Sequence, residues 1–413
     1  MGKLLLGIVA DDFTGASDAA SFAAAAGLST VLVNGVPKAE LQLPTGTEVV
    51  VAALKSRTVP VEEAVSESLR AFNRLKEMGA EQLYFKYCST FDSTDQGNIG
   101  PVIDAVMEHY GYDRTVLCPS LPVNGRTVRD GILYVNGVPL SESSMRNHPL
   151  TPMRRSRICD LMAVQGKYPC IELSENADVP ENTGTCYLVP DYYEEAQGDR
   201  IAARFGNLPF LTGGSGLVGA LARRLAGHRE AGENAFGAAD RQKPVSGKAL
   251  LLAGSCSQAT LGQIRQYQKS GGPSMQIHPA ALLSGEENAD TFWSWISEQK
   301  EIPLVYSSAE PEDLRKSQEL GRELVAAAIE KLLAELAVRA AKEGYGRIIV
   351  AGGETSGAVT KALGYDAFCI GESVAPGVPV MTPLAAPEMR LVLKSGNFGQ
   401  DDFFARAIRM TEK

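Results

Sequence analysis

The sequence predicts an α/β protein built as two domains with mostly parallel sheets. Short apolar runs bounded by turn residues alternate with stretches of helix length, the pattern of parallel strands buried on both faces. At 413 residues the chain exceeds one ordinary core. A segment rich in Gly, Ala and charge, GHREAGENAFGAADRQKPVSGK, interrupts the alternation at 227–248. One domain is therefore expected at 1–228, a linker at 229–247 and a second domain at 248–413.

In the first domain the strand candidates are LLLGIVA (4–10), TVLVNG (30–35), EVVVAAL (48–54), LYFKYC (83–88), TVLCPS (115–120), YLVPD (187–191) and LPFLTGG (208–214). The second domain offers KALLLAGS (248–255), IPLVYSS (302–308), RIIVAGG (347–353) and MRLVLKSG (389–396). A long helix is expected at 323–344, with Leu324, Ala328, Leu332, Leu336 and Ala340 on the face that packs against the second sheet, as core without chemistry. The stretch 121–156 breaks the rhythm. Its Asn-Gly pairs at 124–125 and 136–137 predict turns, the second closing a small hairpin. An irregular insertion of that length in a compact domain is usually functional or mobile.

Composition excludes several classes. A net charge of −9 argues against a general binder of nucleic acid or membrane surface, both of which need a basic face. The apolar run Leu4–Ala10 is too short to span a bilayer and leads into acids, so a cytoplasmic location is expected. The seven cysteines (Cys88, Cys118, Cys159, Cys170, Cys186, Cys256, Cys369) contain no CxxC pair and do not cluster with the four histidines. They are expected to be reduced thiols, mostly core fillers, and no metal ligands are assigned.

Four strand ends share one local grammar, an apolar strand followed by small and hydroxyl residues and then a helix: 8–20, 211–225, 251–264 and 349–363. Free amides at a helix N-terminus favour an anion such as phosphate, and ligands of open α/β sheets sit at the carboxyl ends of strands. Ser or Thr capping with a Gly-eased turn explains any single one of these; four together point to binding. In the second domain Ser255, Ser257, Gly352, Gly353, Glu354, Thr355, Ser356 and the SGNFG loop (Gly396, Asn397, Gly399) form a candidate nucleotide-phosphate site, without a GxxxxGK[ST] motif. No GxGxxG follows a strand with an acid at the required distance, which disfavours a dinucleotide-dependent dehydrogenase.

In the first domain Lys55, Ser56 and Arg57 follow one strand, and KYCSTFDST follows another with Lys86, Tyr87, Cys88, Ser89, Thr90, Asp92 and Ser93. Cations beside hydroxyls suit a small polyhydroxy acid, the charge for its carboxylate and the hydrogen bonds for its alcohols. Asp11 and Asp12 end the first strand. One aspartate suffices for a helix N-cap; the second points to a base for a substrate hydroxyl or to a carboxylate linked to Mg²⁺. His148, in the insertion, is a further candidate substrate contact.

The motifs ADDFTGASD, LKSR, FKYCSTFDST, LPVNGRTV, NHPLTPM, TGGSGL, GSCS, AGGETS and LKSGNFG, in that order, resemble the four-carbon acid sugar kinases along essentially the whole chain. The nearest resemblance is to the branch that phosphorylates 3-oxo-tetronate. It implies an N-terminal substrate domain and a C-terminal nucleotide domain facing a central cleft, Mg²⁺-ATP as donor, and the C4 hydroxyl as acceptor. It also implies substrate binding by Asp12, Arg57 and Lys86 to Ser89, and ATP binding by Ser255, Ser257, Gly352 to Thr355, Gly396 and Gly399. D-threonate and D-erythronate are the alternative substrates, and a non-catalytic sensor of acid sugar and nucleotide is the alternative class. No nucleic acid or membrane partner is expected, and a homodimer is left open. The segment between Tyr168 and Tyr187 is shorter and more polar than the family pattern.

Overall fold

The computed structural model describes residues 3–148, 151–175, 177–227, 245, 247–308 and 321–412, so nearly all of the expected linker lies outside it. The chain divides into two compact units, Met1–Phe236 and Gly237–Lys413.

The first unit holds β1 (Leu6–Ala10), α1 (Phe13–Ala25), β2 (Thr30–Asn34), β3 (Val49–Ala53), α2 (Val61–Glu77), β4 (Gln82–Lys86), α3 (Ile99–Tyr110) and β5 (Arg114–Cys118). The insertion follows as β6 (Arg126–Arg129), β7 (Ile132–Val135) and β8 (Val138–Pro139), and then α4 (Ile158–Met162), β9 (Cys170–Leu173), β10 (Cys186–Pro190), α5 (Glu195–Phe205), β11 (Phe210–Gly213) and α6 (Ser215–Gly227). The main strands form a sheet in the order β2-β3-β1-β4-β11-β5-β10-β9, with every pairing parallel. The connection β1–α1–β2 moves along the sheet in the opposite direction to β3–α2–β4. Right-handed crossovers therefore put α1 and α2 on opposite faces. Consistently, α1 packs with α6 and α6 with α5, whereas α2 packs with α3.

The insertion is a three-stranded antiparallel sheet, β6-β7-β8. Asn136 and Gly137, both at positive φ, make the second turn as expected. The first turn is Asp130-Gly131, also both at positive φ, while Gly125 ends a 3-10 turn. The short polar segment before Tyr187 still yields a strand, β9, paired with β10.

The second unit runs β12 (Ala249–Ala253), α7 (Gln258–Lys269), β13 (Ser274–Gln276), α8 (Pro279–Ser284), α9 (Ala289–Glu298), β14 (Leu304–Tyr306), α10 (Arg322–Lys342), β15 (Arg347–Ala351), α11 (Gly353–Leu363), β16 (Ala367–Ala375), β17 (Val378–Pro383), β18 (Arg390–Lys394) and α12 (Phe403–Thr411). Its sheet is ordered β13-β14-β12-β15-β18-β17-β16, parallel up to β18 and antiparallel for the last two pairings. A core of Leu251, Ile264, Ile349, Val392, Phe403, Phe404 and their neighbours lies between the sheet and the α7–α12 pair.

Two expectations need correction. Leu324 is exposed and Ala328 only half-buried, because α10 packs mainly on helix α11 and buries Val325, Leu332, Leu333, Leu336, Ala337 and Ala340. Cys159 and Cys170 are paired in a disulfide and are not reduced thiols. Helix α4 and strand β9 bring their Cα atoms to 5.3 Å across a separation of eleven residues, a pairing that no CxxC spacing announces. The other five cysteines are not in disulfides.

Candidate functional site

Strand register decides which loops meet. In the first unit Ala10 is level with both Ala53 and Lys86, and Gly213 with both Lys86 and Cys118, so these strands end on one edge. Backbone bonds stitch the emerging loops together: Asp11 N donates to Lys86 O, and Ser56 N donates to Asp11 O.

Arg57 sits at the centre of the resulting cluster. Its Nε and Nη2 form a fork on the Asp11 carboxylate, both at 2.9 Å. Nη2 lies 3.1 Å from Asp12 Oδ1 and Nη1 lies 3.6 Å from Asp92 Oδ2. Burial pushes the Asp11 carboxyl up, opposed by the Arg57 fork. Burial would lower Arg57, but Asp11 and Asp12 more than reverse it, so the guanidinium stays charged. Asp12 does different work. It is the N-cap of α1, accepting from Gly15 N at 2.7 Å, and its side chain keeps 32% exposure against 5% for Asp11. A Cβ on Gly15 would fall 2.5 Å from Asp12 Oδ1 and 2.9 Å from Lys86 Nζ, so only glycine admits both groups there.

Lys86 is buried and donates to Tyr87 O at 2.9 Å. After it the chain turns through Phe91 and Asp92 at φ of 62° and 26°, two consecutive non-glycine residues in a sparsely populated region. Such strain clusters at functional sites, where the surroundings must over-determine it. Here the buried Phe91 ring packs edge-on to Tyr87, which packs on Phe85, while Thr90 Oγ1 donates to Asp92 Oδ1 at 2.6 Å. Cys88 Sγ is 3.0 Å from Thr90 Oγ1, and burial raises the thiol to about 12, which keeps it from acting as a thiolate.

The structure therefore gathers Asp11, Asp12, Arg57, Lys86, Cys88, Thr90 and Asp92, with Ser89 beside them half-buried. It does not gather three of the candidates. The Tyr87 side chain faces the core, its hydroxyl bonded to Thr212; Lys55 is exposed; His148 Nδ1 is engaged with Thr151 inside its own loop. Asn98 was missed by sequence reasoning. Its buried side chain donates to Ser56 O at 2.7 Å and Val59 O at 2.9 Å, holding the loop that carries Arg57. Its only sequence signal was its place after KYCSTFDST.

In the second unit Ala351 is level with Ala253 and Lys394, so Gly254, Gly352 and Ser395 emerge together. Gly352 N donates to Lys394 O and Gly254 N donates to Ala351 O. Ser257 caps α7 and its hydroxyl donates to Gly396 O at 2.6 Å. Gly352 caps α11 without a side-chain hydrogen bond, leaving the first amides of that helix uncapped. A pocket of about 430 Å³ opens there, lined by Gly254, Ser255, Cys256, Gly352, Gly353, Glu354 and Thr355, with Arg322, Val325, Ala326, Ile329 and Glu330 on the far wall. That volume lies in the range of small-molecule sites. Ser356 is buried behind this edge, its hydroxyl 3.5 Å from Lys394 O. The first turns of α10, expected to be core alone, thus line the pocket; their apolar periodicity looks the same in either role.

Residues 6–221 match the family model of a sugar-binding N-terminal domain and residues 250–404 that of a nucleotide-binding C-terminal domain. The chain belongs to the four-carbon acid sugar kinase family. Two curated relatives, both named 3-oxo-tetronate kinase, are each 42% identical to it. The one from Brucella melitensis is matched over 99% of this chain and 96% of its own, and the one from Salmonella typhimurium over 98% and 99%. A crystal structure from Haemophilus influenzae superposes with a TM-score of 0.84 at 41% identity, covering 98% of this chain and 100% of that one. Among the described residues no helix is long and apolar enough to cross a membrane.

Proposed function

We propose that this protein is an ATP-dependent kinase that phosphorylates the C4 hydroxyl of 3-oxo-tetronate. Besides the similarity to relatives of that name, the observation that carries the reading is the asymmetry of the aspartate pair. Asp11 is locked on Arg57, while Asp12 is held by its capping bond at the same edge and stays partly open.

Asp12 is the group that accepts the proton of the attacking hydroxyl or orients it, a contribution typically worth about 100- to 10,000-fold. Arg57 and Lys86 supply positive charge beside the acid sugar, and Ser89 and Thr90 supply hydroxyls. In the second unit the uncapped amides of α11, with Ser255 and the SGNFG loop, cradle the phosphates. In the pocket of the second unit Mg²⁺ would be carried mainly by ATP oxygens and water. Glu330 and Glu354 are the carboxylates of that pocket and would complete its coordination. Bound there, Mg²⁺ would neutralise charge on the transferring phosphoryl group.

The test is ADP release with Mg²⁺-ATP and 3-oxo-tetronate, D-threonate or D-erythronate. We expect turnover with 3-oxo-tetronate to exceed the other two. Phosphorylation of none of them, with both ligands bound, would convert the reading to a sensor.

A further inference from the structure

Lys394, the last residue of β18, is buried although no carboxylate among the described residues pairs with it. Its ammonium has three N–H donors, and each is taken: by Gly396 O at 2.9 Å, Thr260 Oγ1 at 3.0 Å and Ser395 O at 3.2 Å. The Phe403 ring lies 5.5 Å away. A buried cation without a counter-charge opposes folding, so the arrangement calls for a use elsewhere.

The use follows from peptide geometry. In a trans peptide the carbonyl and the next N–H point in opposite directions, and no cis bond occurs among the described residues. Lys394 draws in the carbonyls of both Ser395 and Gly396, and the second also receives the hydroxyls of Ser257 at 2.6 Å and Thr260 at 3.0 Å. The amides of Gly396 and Asn397 must then point away from Lys394, and neither donates to another described group. Successive free amides facing one way make an anion-binding concavity. The loop is also pressed against the wall of the pocket: a Cβ on Gly396 would fall 2.2 Å from Ser255 Oγ.

Resting on the nucleotide reading above, we propose that Lys394 is a positioning residue that turns two peptides of the 395–399 loop so that their amides meet the phosphates of ATP. It does this through the carbonyls and does not touch the nucleotide. Burial pushes its ammonium down to about 8, and no charge on the neighbouring elements offsets it, neither Arg265 on α7, nor Glu354 on α11, nor Asp401, Asp402 and Arg406 around the start of α12. A neutral amine keeps two of the three donors, so the clamp loosens as pH rises through that value.

The test is calorimetric binding of Mg²⁺-ADP to the full chain from about pH 7 to 9, where the phosphates of ADP are already ionised. For the wild type we expect the Kd to climb as pH passes 8. For Lys394→Met we expect a Kd about tenfold higher at neutral pH, the loss of roughly one charge-assisted contact, with a flat pH profile and an unchanged KM for the acid sugar. Equal affinity and equal pH response in the two proteins would overturn the proposal. Should Lys394→Met fail to melt cooperatively, the wild-type profile decides: a rise through pH 8 supports the clamp and a flat line overturns it. Failure of the wild type to bind ADP at all is a separate result, removing the nucleotide reading and the proposal with it.

Discussion

Asp11 and Asp12 are adjacent in sequence, yet replacing each by asparagine should do opposite things. Asp11→Asn removes the charge that the Arg57 fork grips on both oxygens. Breaking a buried ion pair from one side costs about 3–5 kcal/mol. Arg57 keeps Asp12 and Asp92 nearby and is itself 23% exposed, so the lower edge applies, and about 2–3 kcal/mol is expected. For a unit of this size that is a fall in melting temperature of about 5–10 °C. Asp12→Asn retains a good N-cap, since asparagine and aspartate rank together there, and the melt should move by no more than about 1–2 °C. Its turnover should nevertheless fall by about 100-fold or more, with the affinity for ADP unchanged. Scanning fluorimetry read beside coupled ADP release measures both quantities on the same samples. Wild-type turnover in Asp12→Asn would refute the assignment of the proton-handling group, and a wild-type melt in Asp11→Asn would refute the locked pair.

Three further outcomes are expected. Gly396→Ala, whose Cβ would meet Ser255 Oγ at 2.2 Å, should raise the KM for ATP and leave that for the acid sugar alone; the reverse pattern would detach this loop from the nucleotide. Cys159→Ser opens the loop closed across eleven residues and should cost about 3 kcal/mol by chain entropy, matched by thiol reductant on the wild type and absent when reductant is added to the variant. Asp18, which accepts from Ser215 and is raised by burial, binds its proton more tightly folded than unfolded. Its penalty is therefore absent at low pH and grows as pH rises through the raised value. Asp18→Asn should accordingly lessen the decline in melting temperature between acidic and neutral pH, and a steeper decline would reverse that sign.

The strands were legible because parallel strands covered on both faces leave continuous apolar runs, and each of the eleven expected runs lies within two residues of a strand at either end. Strands β16 and β17 were not, since the stretch SVAPGVPVMTP carries the prolines and glycine of a loop, and β13 is too short and half-buried to show a pattern. The turn between β6 and β7 could have been found, because Asp-Gly is as good a hairpin signal as the Asn-Gly pairs. In the site, charge and hydroxyl content pointed to Arg57 and Thr90 but could not tell that Tyr87 faces inward. Asn98 and Lys394 escaped notice because they act on backbone carbonyls, and the spacing of polar residues carries no trace of that.

The row of rings from Phe85 through Tyr87 to Phe91 ties the loop of Asp92 to the same packing that stabilises the sheet. The shape of that loop is therefore settled when the unit folds and not when an acid sugar arrives. A ligand meeting a surface already ordered surrenders less conformational freedom of the protein on association. On the proposed reading the selectivity of this surface belongs partly to residues that never contact the ligand, and trimming Phe91 is expected to blur discrimination between closely related acids before it abolishes their binding.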